Sequence, residues 1–354
     1  MNRTVPADLA DGFSKALEAA PEQHVVSRHL VGGYAMRLST VGRDLHSLIS
    51  RPALELESDP AEPIGEDKLR VELWDEGVSG VGRSRSPGPQ GEISAGGWPE
   101  SLMVHSPPRI RFQGAHFDLS LDRRTRRAIG WVRDSGRLRN TWHPGRPLHP
   151  VFMPWLADRG RIVIHGGCVA EAGIGVLLAG STGKGKSTST IACAMAGMEL
   201  LGDDAIAIAP PLHGNQEPEA FCVNASAKLT AHGSIRQPQA ARLGERLASR
   251  WLGDTVLLAQ EIEAFTVAAS APLRAIVFPR RGEQPESWVS ELSAGQALTQ
   301  LTGSDLTMTH GTIAAHFEQL AALAEGVPTF SLEVGSDPST IPAAVRDAMR
   351  ASGR

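Results

Sequence analysis

The residues whose types and spacing first suggest chemistry are Gly180-Ser181-Thr182-Gly183-Lys184-Gly185-Lys186-Ser187, which satisfy the pattern G-x-x-x-x-G-K-[ST] at every fixed position. Glycines let successive backbone N–H groups converge without Cβ clashes, and a helix beginning at Lys186 adds the partial positive charge of its N-terminus. The natural guest is a polyphosphate, so the stretch Gly180 to Thr188 is read as the binding loop for ATP. Lys186 would reach the β- and γ-phosphates, Ser187 would be a Mg²⁺ ligand, and Lys184 adds a second cation.

Beside the loop stands Asp203-Asp204, at the end of a short apolar segment that follows the loop's helix. If that segment lies beside the loop strand, one carboxylate serves as base for an attacking hydroxyl and the other holds metal; Asp204 is grouped with Ser187 as the metal pair. Adjacent acids raise one another's pKa, which suits a base working near neutrality. His165, at the end of the strand taken to precede the loop strand, is a further catalytic candidate, weighed against a purely structural role. Lys228 lies in a polar break, Asn224 to Leu229, and is a candidate for touching nucleotide against the default of a surface lysine. Arg280 and Arg281, just past the strand 273–278, could set a guanidinium on transferred phosphate, and Arg280 is taken into the catalytic set.

Elements must hold these groups in place. Gly175 to Ala179 is a short apolar run, as in a buried strand, and Lys186 to Ala196 is free of Pro and Gly, giving the order strand, loop, helix. Strands are expected at 161–165, 198–204, 205–208, 273–278 and 329–334, and helices at 239–252, 298–323 and 341–350, an α/β pattern. Earlier, residues 6–20 space apolar side chains as a helix does, and β-prone pieces run from Val25 to Leu48, at 69–74, 109–112, 117–121 and 128–132. A mobile loop is expected at 78–100, dense in Gly, Ser and Pro, and Pro144 to Pro154 marks a boundary. The division expected is a smaller sheet-rich region, 1–150, followed by a nucleotide domain, 151–354.

A chain of 354 residues exceeds one ordinary domain, and its net charge of −4 argues against nucleic-acid or anionic-membrane binding through bulk electrostatics. Arg123-Arg124-Thr125-Arg126-Arg127 is a local exception, read as a solvated hairpin tip. Cys168, Cys193 and Cys222 are scattered among apolar or small residues and read as buried, reduced thiols. With no secretory head and no apolar run long enough to span a bilayer, the expectation is a cytoplasmic protein without membrane partners.

The run His165-Gly166-Gly167-Cys168-Val169, the segment Gly173 to Gly180, the loop, and Gly197 to Asp204 together resemble the catalytic domain of HPr kinase/phosphorylase and its relatives. The layout is closest to HPr-kinase-like proteins that phosphorylate the C-terminal serine of lasso precursor peptides. The resemblance implies a fold similar to phosphoenolpyruvate carboxykinase, a mixed sheet flanked by helices. It also implies Lys186 and Ser187 at phosphate and Mg²⁺, Asp203 and Asp204 at base and metal, and His165 beside the transferred group. Thr188 stands where the family usually has an acidic residue, and the Gly-Arg-Asn segment tied to phosphorolysis has no counterpart after Phe278. The resemblance therefore does not extend to phosphorolysis or to HPr itself. It leaves room for a homo-oligomer.

The leading expectation is an ATP- and Mg²⁺-dependent kinase acting on a serine of a peptide or small protein. The rival is a nucleotide-binding regulatory or assembly module that transfers nothing. Carboxykinase-like transfer to a small molecule ranks last, since it wants further metal ligands.

Overall fold

Leu9, Phe13, Ala16 and Ala20 recur at helical spacing, and in the computed structural model the first three line the buried side of α1 (Ala7–Ala19). The structure describes residues 7–56, 69–83, 92–95, 102–138, 141–211, 217–247, 250–305 and 313–353. It divides into two units between Trp155 and Leu156.

In the first unit, β1 (His24–Val31) and β2 (Tyr34–Val41) form a hairpin turning at Gly32 and Gly33, with φ of 58° and 84°. Positive φ at both turn residues matches the twist of the strands, which is why glycines stand there. The expectation of β structure as far as Leu48 fails after Val41. Leu45 and Ile49, four apart, bury one side of α2 (Arg43–Ser50), which a strand could not do. β3 (Leu54–Glu55) and β4 (Leu69–Asp75) follow, and the Asp75 carboxylate accepts from the Gly77 amide at 2.9 Å to start α3 (Glu76–Ser79).

Next come β5 (Glu92–Ala95), β6 (Leu102–Ser106), β7 (Arg109–Gly114), β8 (Phe117–Asp122), β9 (Arg127–Val132) and α4 (Ser135–Leu138). Part of the expected mobile loop, Glu92–Ala95, is thus a strand paired to β6. Residues 84–91 and 96–100 of that loop lie outside the described residues. Among the described residues the sheet order is β3-β1-β2-β4-β9-β8-β7-β6-β5, and α1 packs on Val41, Trp74, Ile129 and Trp131.

α5 (His149–Ala157) crosses the division. The second unit then runs β10 (Ile162–Ile164), β11 (Gly167–Glu171), β12 (Ile174–Leu178), α6 (Lys186–Met195), β13 (Glu199–Gly202), β14 (Ile206–Ala209) and β15 (Glu219–Cys222). It continues with β16 (Ser226–Leu229), α7 (Ala231–Arg236), α8 (Pro238–Leu247), β17 (Arg250–Trp251), β18 (Asp254–Leu258) and β19 (Ser270–Arg281). β20 (Trp288–Glu291), α9 (Ala294–Asp305), α10 (Ile313–Gly326), β21 (Thr329–Val334) and α11 (Ile341–Ser352) complete it.

The spine is β19, parallel to β12 and to β21. Its apolar run Ala275-Ile276-Val277-Phe278 is wholly buried, as a strand covered on both faces requires. β11 and then β13 extend the sheet antiparallel beyond β12, and β20 pairs antiparallel with β21. The first residues of β19 pair with β15, which leads to β14 and β10. The result is a mixed α/β fold, with α6 and α11 packing against the sheet.

Four expectations change here. The strand before the loop strand is β11, so His165 follows a different strand, β10, in the bend after Ile164. Asp203 follows β13, which pairs with β11 and not with the loop strand β12. The helix expected at 239–252 stops at Leu247, because Leu252 and Gly253 take φ of 46° and 93° and turn β17 back onto β18. The helix expected at 298–323 is two helices, with 306–312 outside the described residues. Among the described residues no helix is long and apolar enough to cross a membrane.

Candidate active site

β12 hands the chain to the loop with its ladder still intact: the Ala179 amide donates to the Val277 carbonyl at 3.0 Å. The loop then bends through φ of 116° at Gly180, 80° at Gly183 and 111° at Gly185, angles that L side chains rarely adopt. Gly185 is the N-cap of α6 and brings no side chain to cap it, so the helix's first amides are left for a ligand. Ser181, Thr182, Gly183 and Lys184 are exposed, whereas Lys186 is buried. Its Nζ donates to the carbonyl oxygens of Gly180 at 2.6 Å and Ser181 at 3.1 Å. The lysine thus curls over the loop from inside.

α6 can sit this close to the sheet because Gly167 has no Cβ. One built there would fall 2.0 Å from Thr190 Oγ1, and that hydroxyl donates to the Lys186 carbonyl at 3.0 Å. On the far side, the Gln237 side-chain amide donates to the Thr188 carbonyl.

The acid pair sits on a sharp reversal. Gly202 has φ of 146° and passes the Asn224 carbonyl so closely that a Cβ would lie 2.7 Å from its oxygen; Asp204 takes a left-handed φ of 78°. Asp203 is 4% exposed, and its amide donates to the Ser226 carbonyl at 2.9 Å. Its carboxylate accepts from the Lys228 backbone amide at 3.2 Å, and the Ser187 side chain lies close enough to lower its pKa. Burial, reinforced by the neighbouring Asp204 charge, pushes its pKa from 3.8 up to about 6; Ser187, the Lys228 amide and His165 pull the other way. Asp204 faces His165, whose Nδ1 lies 3.1 Å from Asp204 Oδ1 and 3.2 Å from its carbonyl oxygen.

The grouping within the pair therefore differs from the expectation: Ser187 joins Asp203, and Asp204 joins His165. Lys228 is not in a polar break but on β16, a polar residue within an otherwise small and apolar strand; its Nζ lies 3.6 Å from Asp254 Oδ2, and it serves Asp203 through its backbone. Arg280 is inside β19, not past it; it pairs with Glu333 and donates to the Ser331 hydroxyl at 3.0 Å. β19 outruns its apolar segment because β21 continues to pair with it through Arg281.

Two residues went unread in the sequence. Gln237 fixes the first turn of α6, with no motif to announce it. Asn224 is 2% exposed, and its side-chain amide has no hydrogen-bond partner among the described residues. Its only signal was a polar residue next to the apolar run Ala220 to Val223.

Ser187 and Asp203 offer adjacent hard oxygen donors, which suits Mg²⁺, an ion that keeps several waters and needs few protein ligands. No cluster of three or more His, Cys, Asp or Glu placed to hold a metal occurs among the described residues. The three cysteines are buried and unbridged, and burial pushes the Cys193 and Cys222 thiols up to about 12.

No protein-family model and no curated protein matches the chain. Among solved structures it is similar to the HPr(Ser) kinase/phosphatase from Coxiella burnetii, with 13% identity, 55% of this chain and 99% of that chain covered, and a TM-score of 0.31. A likeness of that size carries no argument about activity, so the functional reading rests on the site.

Proposed function

We propose that the chain is a kinase that uses ATP and Mg²⁺ to phosphorylate a hydroxyl, with a serine of a peptide or small protein as acceptor. The observation that carries this reading is that Ser187, on the phosphate loop, lies beside the buried Asp203 carboxylate on the acid reversal. It joins the two halves a phosphoryl-transfer centre needs: a seat for polyphosphate and a carboxylate beside it. The peptide acceptor is supported by the resemblance of residues 160–210 to the HPr-kinase-like family.

In the proposed reaction the acceptor oxygen attacks the γ-phosphorus, the bond to the β–γ bridging oxygen breaks, and ADP leaves. Bound Mg²⁺ would offset charge on the β- and γ-phosphate oxygens, held by Ser187 and Asp203. Asp204 takes the acceptor's proton, and His165 fixes that carboxylate through Nδ1. Such a base contributes about 10²- to 10⁴-fold. Lys186 exchanges the carbonyls of Gly180 and Ser181 for phosphate oxygens, a swap of acceptors that needs no new charge in the site.

Mass spectrometry of serine-containing peptides incubated with ATP and Mg²⁺ tests this. Wild type should add one phosphoryl group, and Asp204→Asn should slow the addition at least a hundredfold while ATP still binds. Tight ATP binding with no transfer to any hydroxyl would favour the regulatory module instead.

A further inference from the structure

The basic cluster at 123–127 does not end at its turn. β-Sheet partners share a face, so the register of the first unit can be read across strands. Arg28 on β1 lies opposite Arg37 on β2, Arg37 beside Arg70 on β4, and Arg70 beside Arg127 on β9. The row continues to Asp122 on β8 and Arg109 on β7. Five arginines and one aspartate thus cross six adjacent strands, and the Arg70 amide donating to the Arg126 carbonyl at 3.0 Å ties the turn to the row.

Like charges placed directly opposite destabilise a sheet, so such a row is costly unless something offsets it. Its own acids are already engaged. Glu72 pairs with Arg127, while Asp122 accepts from the amides of Arg124 and Thr125 at 3.0 and 2.9 Å. Arg70 is exposed and Arg37 half-buried. Neither has an ion pair among the described residues, and Arg37 Nε is buried without a hydrogen-bond partner there. On the same face, α1 covers Val41, Trp74, Ile129 and Trp131.

We propose that this row is a docking surface for an acidic peptide segment. Arg28 is buried, 4% exposed, so the accessible part of the row runs from Arg37 to Arg127; with neighbouring strands about 4.8 Å apart it spans roughly 10 Å, the reach of two or three carboxylates on a peptide laid across the strands. Arginine forks bind carboxylates in pairs of hydrogen bonds. A long polyanion is the poorer fit, because a chain of net charge −4 gives it no long-range attraction. As a site for the acceptor's non-reacting part, the surface rests on the kinase reading; as a peptide-binding surface, it stands without it.

The test is fluorescence anisotropy on the full chain without ATP. The probes are a short labelled peptide of alternating Glu and Ala, the same peptide with Gln for Glu, and a single-stranded oligonucleotide of equal charge. Wild type should bind the Glu peptide at least tenfold more tightly than either control. The double variant Arg37→Gln with Arg70→Gln should lose at least tenfold, and Arg37→Lys with Arg70→Lys, which keeps charge but not the fork, should fall between. If the Gln variant does not fold, the Lys variant and the salt dependence of wild-type binding decide. Equal binding of the Glu and Gln peptides, preference for the oligonucleotide, or unchanged affinity in a folded Gln variant would each overturn the proposal. Because no nucleotide is present, a chain that binds the peptide but transfers no phosphate sinks only the kinase reading.

Discussion

The two units place their charges in opposite ways. In the second, Lys186, Asp203, Asp204 and His165 are gathered on turns where the backbone is bent into unusual conformations, and each touches another charged or polar group within a few ångströms. In the first, the arginines stand on regular strands in a row set by register. Bent turns converge groups on a point, as chemistry requires, whereas a flat strand face spreads them along a line, as docking a chain requires.

The largest effect that would break this contrast concerns Lys186. Lys186→Ala should lower the transfer rate about 10³-fold, roughly 4 kcal/mol, with the fold retained. A loss under tenfold would mean that the loop does not converge on a reacting group.

Asp203 sharpens the contrast through pH. The unfolded chain gives up this proton near 3.8 and the folded chain near about 6, so the group subtracts stability as pH rises through that window, and fully above it. The shift of about two units corresponds to about 3 kcal/mol. Denaturant unfolding should therefore show Asp203→Asn gaining on wild type by about 2–3 kcal/mol between pH 4 and pH 7.5, without Mg²⁺. A constant difference across that range would mean that Asp203 is not buried beside Asp204.

Gly167→Ala should cost about 1–3 kcal/mol, since the added methyl meets the β-branched, buried Thr190 and must push α6 off β11. ATP affinity should fall with it. Arg280→Gln should matter least, up to about 1 kcal/mol, because a pair whose arginine is 59% exposed is screened by solvent. A tenfold loss of transfer in that variant would restore Arg280 to the reacting centre.

Much of the second unit was legible in the sequence. Buried parallel strands appear as unbroken apolar runs, and Gly180 to Ser187 marks its own strand, loop and helix. What the sequence could not show was which strand lies beside which. His165 and Asp204 sit far apart along the chain and meet because β10, which His165 follows, pairs antiparallel with β14, which Asp204 precedes, Ile164 standing opposite Ile206. Asp203 and not Asp204 faces Ser187 because its backbone and carboxylate are bound to β16, at the Ser226 carbonyl and the Lys228 amide. The arginine row was invisible because one-per-strand charges look like ordinary solvated positions until register aligns them. Only the turn at 123–127 concentrated enough charge to be noticed.

The most direct test of the central claim, that Ser187 and Asp203 form one seat for the cation beneath the phosphates, is calorimetry of ATP binding with and without Mg²⁺. Wild type should bind ATP at least tenfold more tightly with Mg²⁺, and Asp203→Asn should retain less than threefold of that gain. An equal gain in both proteins would contradict the account.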